Sequence, residues 1–186
     1  MNFKKFFIIL FLFFSTFGNI AKSEIVNEIE VKGNQRISLE TIAIFGDVIL
    51  GKNYELSDIN LIVKKLYQTT FFSNISAEII NGKLIITVKE NPIINEVVFN
   101  GEKADKYKEK LLEYLMLKEN NSYISNHIKT DINLIKEFYR QLGFYFVKID
   151  AEVEKLKNNR VNIIYTLDKG EKAKIAKIFF IGDKKI

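Results

Sequence analysis

Apolar and polar residues alternate in three similar stretches of the chain, each with a glycine as its ninth residue. The stretches read IVNEIEVKGN, IINEVVFNGE and KIAKIFFIGD, and their glycines are Gly33, Gly101 and Gly182. In every copy, apolar residues stand two and four positions before the glycine. This pattern predicts a β-strand with one buried face that ends in a glycine turn. The first two copies also share Ile-x-Asn-Glu, so we interpret the stretches as the start of a repeated module.

The same order of elements follows the first two copies. After Gly33, Ser38 and Ser57 are predicted N-caps of two helices. The second helix has a single apolar stripe, formed by Ile59, Ile62, Val63, Leu66 and Tyr67. A hairpin with a tight turn at Asn81–Gly82 comes next. After Gly101, two helical patterns and two alternating strands occur again. Each module is therefore predicted as β-α-α-β-β in an α+β fold, with two helices covering one sheet face.

The repeats divide the chain into predicted domains. We expect the first module at residues 24–91 and the second at residues 92–172, with Pro92 at the junction, where its missing N–H harms no strand pairing. Residues 173–186 hold only the first strand of a third module, and one strand cannot close a core. We therefore expect the sequence to be part of a longer chain.

The first 23 residues are predicted to be a secretory signal peptide. Lysines precede the apolar run FFIILFLFF, which is too short to span a bilayer as a helix, and a polar stretch follows. Small residues favour cleavage between Ser23 and Glu24, and an uncleaved anchor is the alternative. Removing Lys4, Lys5 and Lys22, with no acid among the lost residues, lowers the formal net charge from +5 to +2. No dense basic stripe remains, which argues against nucleic-acid binding.

Candidate catalytic and metal-binding residues are scarce. The chain has no cysteine and a single histidine, and we interpret His127, near a predicted helix start, as a solvated or capping residue. Glu109 and Glu113 lie four residues apart on a helix that also carries several lysines, which indicates a charged surface facing solvent. No phosphate-binding loop, nucleophile motif or metal-ligand spacing occurs. We therefore predict no catalytic residue, no metal, no cofactor and no enzymatic activity.

Tandem β-α-α-β-β units behind a signal peptide resemble the POTRA (polypeptide-transport-associated) repeats of the BamA family of outer membrane protein assembly factors. The resemblance is carried, in the expected order, by IVNEIEVKGNQRIS, LYQTTFFSNISAEI, LIITVKENPIINEVVFNG, FYRQLGFYFVKIDAEV and VNIIYTLDKGEKAKIAKIFFIGD. It implies a three-stranded mixed sheet with the third strand in the centre and the second at an edge.

The same resemblance implies a function and a location. The expected role is to receive unfolded outer-membrane β-barrel proteins and to dock accessory lipoproteins at the periplasmic face of the bacterial outer membrane. Family members continue into further repeats and a C-terminal membrane barrel, through which we expect attachment to the membrane. The alternatives are the POTRA region of a two-partner-secretion transporter or of a translocation assembly factor, and a stand-alone exported binding protein of two repeats.

An exposed sheet edge is the feature through which such a module would bind an extended client, because unpaired N–H and C=O groups accept an added strand almost independently of its sequence. The candidate edges are Asn74–Ile80 and the longer Tyr145–Val153. We favour the second, whose outer face mixes an aromatic residue with charged ones. Its residues are Tyr145, Phe146, Val147, Lys148, Ile149, Asp150, Ala151, Glu152 and Val153. The alternative is that both are ordinary amphipathic strands whose charges oppose aggregation.

Overall fold

The computed structural model describes residues 23–179, and the chain divides into two compact units between Glu90 and Asn91. Residues 1–22 of the predicted signal peptide and the third repeat glycine, Gly182, lie outside the described residues. Residues 171–179 form no helix or strand, so the strand expected after residue 173 stays a prediction. None of the helices in residues 23–179 has the length and apolar character that crossing a bilayer requires.

The first unit builds a three-stranded sheet and two helices from the predicted pattern. Its elements are β1 (Glu24–Ile25), β2 (Glu28–Lys32), α1 (Leu39–Gly46), β3 (Asn53–Tyr54), α2 (Leu56–Gln68), β4 (Phe72–Ile80) and β5 (Lys83–Glu90). The sheet order is β2-β5-β4, with β2 parallel and β4 antiparallel to β5. The two-residue strands β1 and β3 pair with each other.

The second unit repeats this topology. Its elements are β6 (Ile93–Asn100), α3 (Asp105–Tyr114), α4 (His127–Gln141), β7 (Lys148–Leu156) and β8 (Arg160–Asp168). The sheet order is β6-β8-β7, with β6 parallel and β7 antiparallel to β8. The predicted α+β fold class is confirmed, and in both sheets the last strand is central and the strand before it lies at an edge.

The core of each unit lies between its helices and one face of its sheet. Side chains alternate along a strand, so one row is buried while the next reaches the surface. In the first unit the buried core consists of Val26, Ile42, Tyr54, Ile62, Leu66, Phe72, Ile75, Leu84, Ile86 and Val88. In the second it consists of Ile94, Val97, Phe99, Leu111, Leu115, Leu117, Ile135, Tyr139, Val147, Ile149, Val161, Ile163, Tyr165 and Leu167. Each unit is thus a two-layer structure.

The first predicted strand is interrupted, a feature that its alternating sequence does not reveal. The N–H of Val26 donates to the carbonyl of Lys52, whereas the N–H of Asn27 donates to the carbonyl of Gly82. The chain therefore changes its pairing partner between β1 and β2. Such a change of pairing partner does not alter the local pattern of apolar residues.

Of the two predicted N-caps, one is confirmed and one is wrong. The hydroxyl of Ser38 accepts the N–H of Thr41 at the start of α1. Ser57, in contrast, lies inside α2, which begins at Leu56 with Glu55 as its N-cap. The carboxylate of Asp58 accepts the N–H of Glu55 at 2.9 Å, and this reciprocal contact replaces the expected serine cap.

The repeat glycines mark the points where the ends of β2 and β6 pass close to the central strands. Gly33 and Gly101 have φ angles of 82° and 88°. A Cβ atom would lie 2.2 Å from the carbonyl oxygen of Val88 at Gly33 and 2.1 Å from that of Leu167 at Gly101. Only glycine satisfies both the left-handed backbone and the lack of space.

Replacing Gly33 by alanine tests this close approach. We expect Gly33→Ala to lower the free energy of unfolding by at least about 3 kcal/mol, because backbone strain and a steric clash act together. Gly51→Ala is the matched control, since Gly51 has a φ of 80° but no atom within 4 Å of an added Cβ, and it should cost about 1 kcal/mol. Urea denaturation measures both losses, and equal losses would contradict the close approach.

A buried carboxylate holds the loop between β2 and α1 against the sheet of the first unit. One carboxylate oxygen of Glu90 accepts the N–H groups of Gln35, Arg36 and Ile37 at 2.8, 2.9 and 3.0 Å. The other oxygen lies 3.1 Å from Nε of Arg36. Burial raises the pKa of Glu90, but the three N–H groups and the guanidinium outweigh burial and hold the pKa below its ordinary value.

Asp131 has the corresponding role in the second unit, where it fixes the loop between α3 and α4. Its carboxylate accepts the N–H groups of Met116 and Leu117 at 2.8 and 3.1 Å and the hydroxyl of Tyr165 on β8 at 3.1 Å. Burial raises the pKa of Tyr165, so its hydroxyl keeps the proton that it donates. One side chain of α4 thereby connects the loop to the central strand.

Glu102 is the second buried carboxylate of this unit. It accepts the hydroxyl of Tyr139 and the N–H of Ala104, and the Lys169 ammonium lies 3.3 Å from it. Burial raises the pKa of Glu102, and these three partners outweigh burial, so the pKa lies below its ordinary value. The segment after β6 is fastened to α4 and to the end of β8.

The depressed pKa values of Glu90 and Glu102 predict that the free energy of unfolding decreases at low pH. Because each pKa is lower in the folded protein, the contribution is complete above the unfolded value of about 4.3 and is lost as pH falls through the folded pKa. We expect Glu90→Gln to lower the free energy of unfolding by about 2 kcal/mol at pH 7, since the carboxylate charge is lost and an NH2 group replaces the oxygen that faces Arg36. The variant should also weaken the dependence of stability on pH between pH 5 and pH 2. Urea denaturation across this range measures both effects. The exposed variant Glu109→Gln should change neither quantity, and a Glu90→Gln protein as acid-sensitive as the parent would contradict this role.

Candidate functional site: an open sheet edge

β7 forms a long edge strand because its hairpin with β8 is regular. Nine residue pairs join the two strands, from Lys148 opposite Asp168 to Leu156 opposite Arg160. Asn158 and Asn159 make the turn with φ angles of 58° and 52°, as a tight hairpin turn requires. Within the part of the chain that the structure describes, no strand pairs with the other side of β7. Alternate backbone N–H and C=O groups of β7 therefore point out of the sheet.

The predicted range of this edge strand is wrong at its start. Tyr145, Phe146 and Val147 precede β7, and the strand extends instead from Lys148 to Leu156. The chain turns back after α4 through Gly143, with a φ of 93°, and needs the following residues to reach the sheet. Of the three, Val147 is buried, while Tyr145 and Phe146 are 57% and 81% exposed.

The two faces of β7 differ in character, as the alternation predicted. Ile149, Ala151 and Val153 face the core side, where Ile149 is buried and the other two are half-buried. The opposite row is exposed and consists of Lys148, Asp150, Glu152 and Glu154. An incoming strand would therefore meet an apolar row on one side and a charged row on the other.

β4, the other candidate edge, is partly covered. The N–H of Ile75 donates to the hydroxyl of Tyr67 on α2 at 3.0 Å, so this backbone donor already has a partner. The pairing of β4 with β5 is also irregular between Phe72 and Asn74. Among the described residues, no side chain forms such a hydrogen bond with the outward backbone groups of residues 148–156. β7 therefore offers the longer uninterrupted edge.

A loop covers the beginning of β6, the edge strand of the second unit that is parallel to β8. The N–H of Ile94 donates to the carbonyl of Asn121 at 2.9 Å, and the N–H of Asn120 donates to the carbonyl of Ile94 at 2.8 Å. The N–H of Tyr123 likewise donates to the carbonyl of Pro92. In the first unit, the segment from Gly51 to Tyr54 covers Val26 through equivalent bonds.

The predicted cleavage site lies directly before β1. Glu24 is the first residue of β1, where it pairs with Tyr54, and its carboxylate accepts the N–H of Gly82. The hydroxyl of Ser23 accepts a hydrogen bond from the side chain of Asn53 at 2.9 Å. Cleavage between Ser23 and Glu24 stays a prediction, and it would leave β1 complete.

Candidate metal ligands do not converge in the described residues, since no group of three or more His, Asp or Glu side chains there could hold an ion. The buried carboxylates instead bind backbone N–H groups and tyrosine hydroxyls of their own unit. His127 is the first residue of α4 and is half-buried, whereas Glu109 and Glu113 on α3 are exposed. The predicted solvated or capping role of His127 and the charged-surface role of the two glutamates stay predictions. The feature with binding capacity is the backbone of β7.

Comparison with known proteins identifies the second unit. Residues 92–170 match the family model POTRA, described as a surface antigen variable number repeat. Residues 92–170 are a POTRA domain. This range begins at the junction before β6 and ends just after β8, so it contains all the helices and strands that the structure describes in the second unit. The open edge β7 is therefore the edge strand of a POTRA domain.

The relatives of the chain are outer membrane protein assembly factors. The chain is 33% identical to BamA of Neisseria meningitidis serogroup B over 162 residues, which are 86% of this chain and 20% of that protein. It is 26% identical to BamA of Buchnera aphidicola over 186 residues, which are 98% of this chain and 30% of that protein. The chain thus spans about a fifth to a third of the length of these relatives, and its likeness to BamA extends over most of its own length.

A solved structure shows the same fold. The N-terminal domain of Omp85 from Thermosynechococcus elongatus matches with a TM-score of 0.52 at 14% sequence identity, covering 80% of this chain and 64% of that one. At this identity the likeness concerns the fold alone. The mixed sheets and paired helices of the two units thus resemble those of that domain in fold.

Proposed function

We propose that this POTRA region receives unfolded outer-membrane β-barrel proteins by strand addition to β7. The open edge from Lys148 to Leu156, with no pairing strand among the described residues, is the observation that supports this proposal most directly. An extended client would form backbone hydrogen bonds with β7 and enlarge the sheet of the second unit. The proposed role is that of a non-enzymatic scaffold at the periplasmic face of the outer membrane.

The energetics of such an edge suit transient binding. Each hydrogen bond gains only about 0.5–1.5 kcal/mol net, because client and edge are both solvated beforehand. Ordering an extended segment costs about 1–2 kcal/mol per residue. The ordering cost is at least as large as the hydrogen-bond gain, so backbone pairing along a nine-residue edge should bind a client only weakly. Weak binding of many sequences allows a client to be passed on.

The relatives named as BamA suggest two further parts of this proposal. The chain would be exported by its N-terminal segment, and further family domains would attach it to the outer membrane. Accessory lipoproteins of the assembly machinery would dock on the same region. Membrane attachment and lipoprotein docking rest on the likeness to BamA alone, export also rests on the pattern of the first 23 residues, and client binding also rests on the geometry of β7.

Peptide titration followed by NMR tests the proposed client edge. A nine-residue peptide with the alternating apolar and polar residues of a barrel strand is added to the isotope-labelled protein. We expect the amide signals of Lys148–Leu156 to shift most. The same peptide with a central proline should shift them much less, since proline cannot donate to the edge.

A variant of the other edge provides the matched control. Tyr67→Phe removes the hydroxyl that accepts the N–H of Ile75, so it should increase peptide-induced shifts along β4 and leave those along β7 unchanged. If the largest shifts in the parent protein fall on β4, or between α3 and α4, the assignment of β7 is wrong.

A further inference from the structure

The exposed row of β7 carries three carboxylates with no cationic partner. We name Asp150, Glu152 and Glu154 the acidic row; all three are exposed. Opposite them on β8 stand Thr166, Ile164 and Asn162, none of which is charged. Glu154 accepts a hydrogen bond from the side chain of Asn162 at 2.8 Å, and the ion pairs of the described chain include none of the three.

The positions of these carboxylates match the side chains of an added strand. Neighbouring strands lie about 4.8 Å apart, and side chains directly opposite each other have Cβ atoms about 5 Å apart. Alternate residues of an incoming strand would therefore each face one member of the acidic row. Like charges opposite each other destabilise a strand pair, and opposite charges stabilise it.

The core-facing residues of β7 determine which side chains of an added strand fit between its charged ones. Ala151 and Val153 are only half-buried although they pack against the core of the second unit. Apolar side chains of an added strand would cover them and extend the apolar layer. The edge is therefore complementary to an amphipathic strand with cationic and apolar residues in alternation.

The equivalent row of the first unit lacks this charge pattern. The exposed residues of β4 that correspond in position are Ser76, Glu78 and Ile80, with one carboxylate among them. Ile80 also stands opposite Lys83 on β5. The acidic row is thus a property of the second unit and not of every edge in the chain.

We propose that the β7 edge selects extended segments with Lys or Arg at the three alternate positions that face the acidic row and apolar residues between them. This inference rests on the proposed strand addition at β7 and names the class of segment that the edge prefers. Backbone pairing supplies attachment, and the acidic row supplies the preference and the orientation of the amphipathic face.

Two matched peptides test this preference. Both have nine residues with Val and Thr at the odd positions, and the even positions carry Lys in one peptide and Glu in the other. At low salt we expect the Lys peptide to bind the protein about tenfold more tightly, from three cross-strand pairs. The difference should fall to about twofold or less in 1 M NaCl, where charges are screened within about 3 Å.

Two triple variants distinguish the effect of the acidic row on peptide binding from the effect of the protein's net charge. Asp150→Asn, Glu152→Gln and Glu154→Gln together keep the shape of the edge and should abolish the difference between the peptides. The same change of net charge at Glu109, Glu113 and Glu119, which are exposed, should leave the difference intact. Equal losses in the two triple variants would overturn the inference, since net charge would then explain the preference.

A backbone-modified peptide separates this inference from the proposed function. The Lys peptide with N-methyl groups on all its central amides keeps every side chain, but neither of its edges can donate hydrogen bonds to β7. Binding that survives N-methylation would contradict strand addition itself. If both unmodified peptides shift Lys148–Leu156 equally, strand addition stands and the charge preference is overturned.

Discussion

The parallel pairing between the first and the last strand of each unit is the constraint on which the rest of the structure depends. It places β5 and β8 in the centre of their sheets and requires the two helices to cross over one sheet face. The preceding strand of each hairpin then has only the outer position left. The end of the first strand must also pass the central strand closely, where only Gly33 or Gly101 fits. An edge strand late in each unit is thus a consequence of topology.

Not every edge produced by this topology is available for binding. Loops cover the beginnings of the parallel edges through Val26 and Ile94, and Tyr67 covers part of β4. Buried carboxylates such as Glu90 and Asp131 hold the connecting loops in place through backbone N–H groups. β7 is the longest stretch of edge backbone that these contacts leave open among the described residues. An open edge carries a risk of aggregation, which the charges of its exposed row reduce.

Much of this fold could be predicted from the sequence because it follows from local patterns. Alternation indicated the strands, helical spacing indicated α2, and the glycine at the end of each repeat indicated the modules. The start of β7 could not be predicted, since Tyr145 and Val147 continue the alternation although the chain is still turning after Gly143. The cover of Ile75 and the role of Asp131 were also missed, because each depends on residues distant in sequence that meet only in the folded unit.

Amide hydrogen exchange of the free protein tests most directly whether β7 is an open edge. β8 pairs on both sides, so its amides should be protected throughout, whereas every second amide of Lys148–Leu156 should exchange with little protection. The N–H of Ile75 in β4 should be more protected than these open positions of β7, since Tyr67 accepts it. Uniform protection along β7, equal to that of β8, would contradict the account, because the edge would then already be paired.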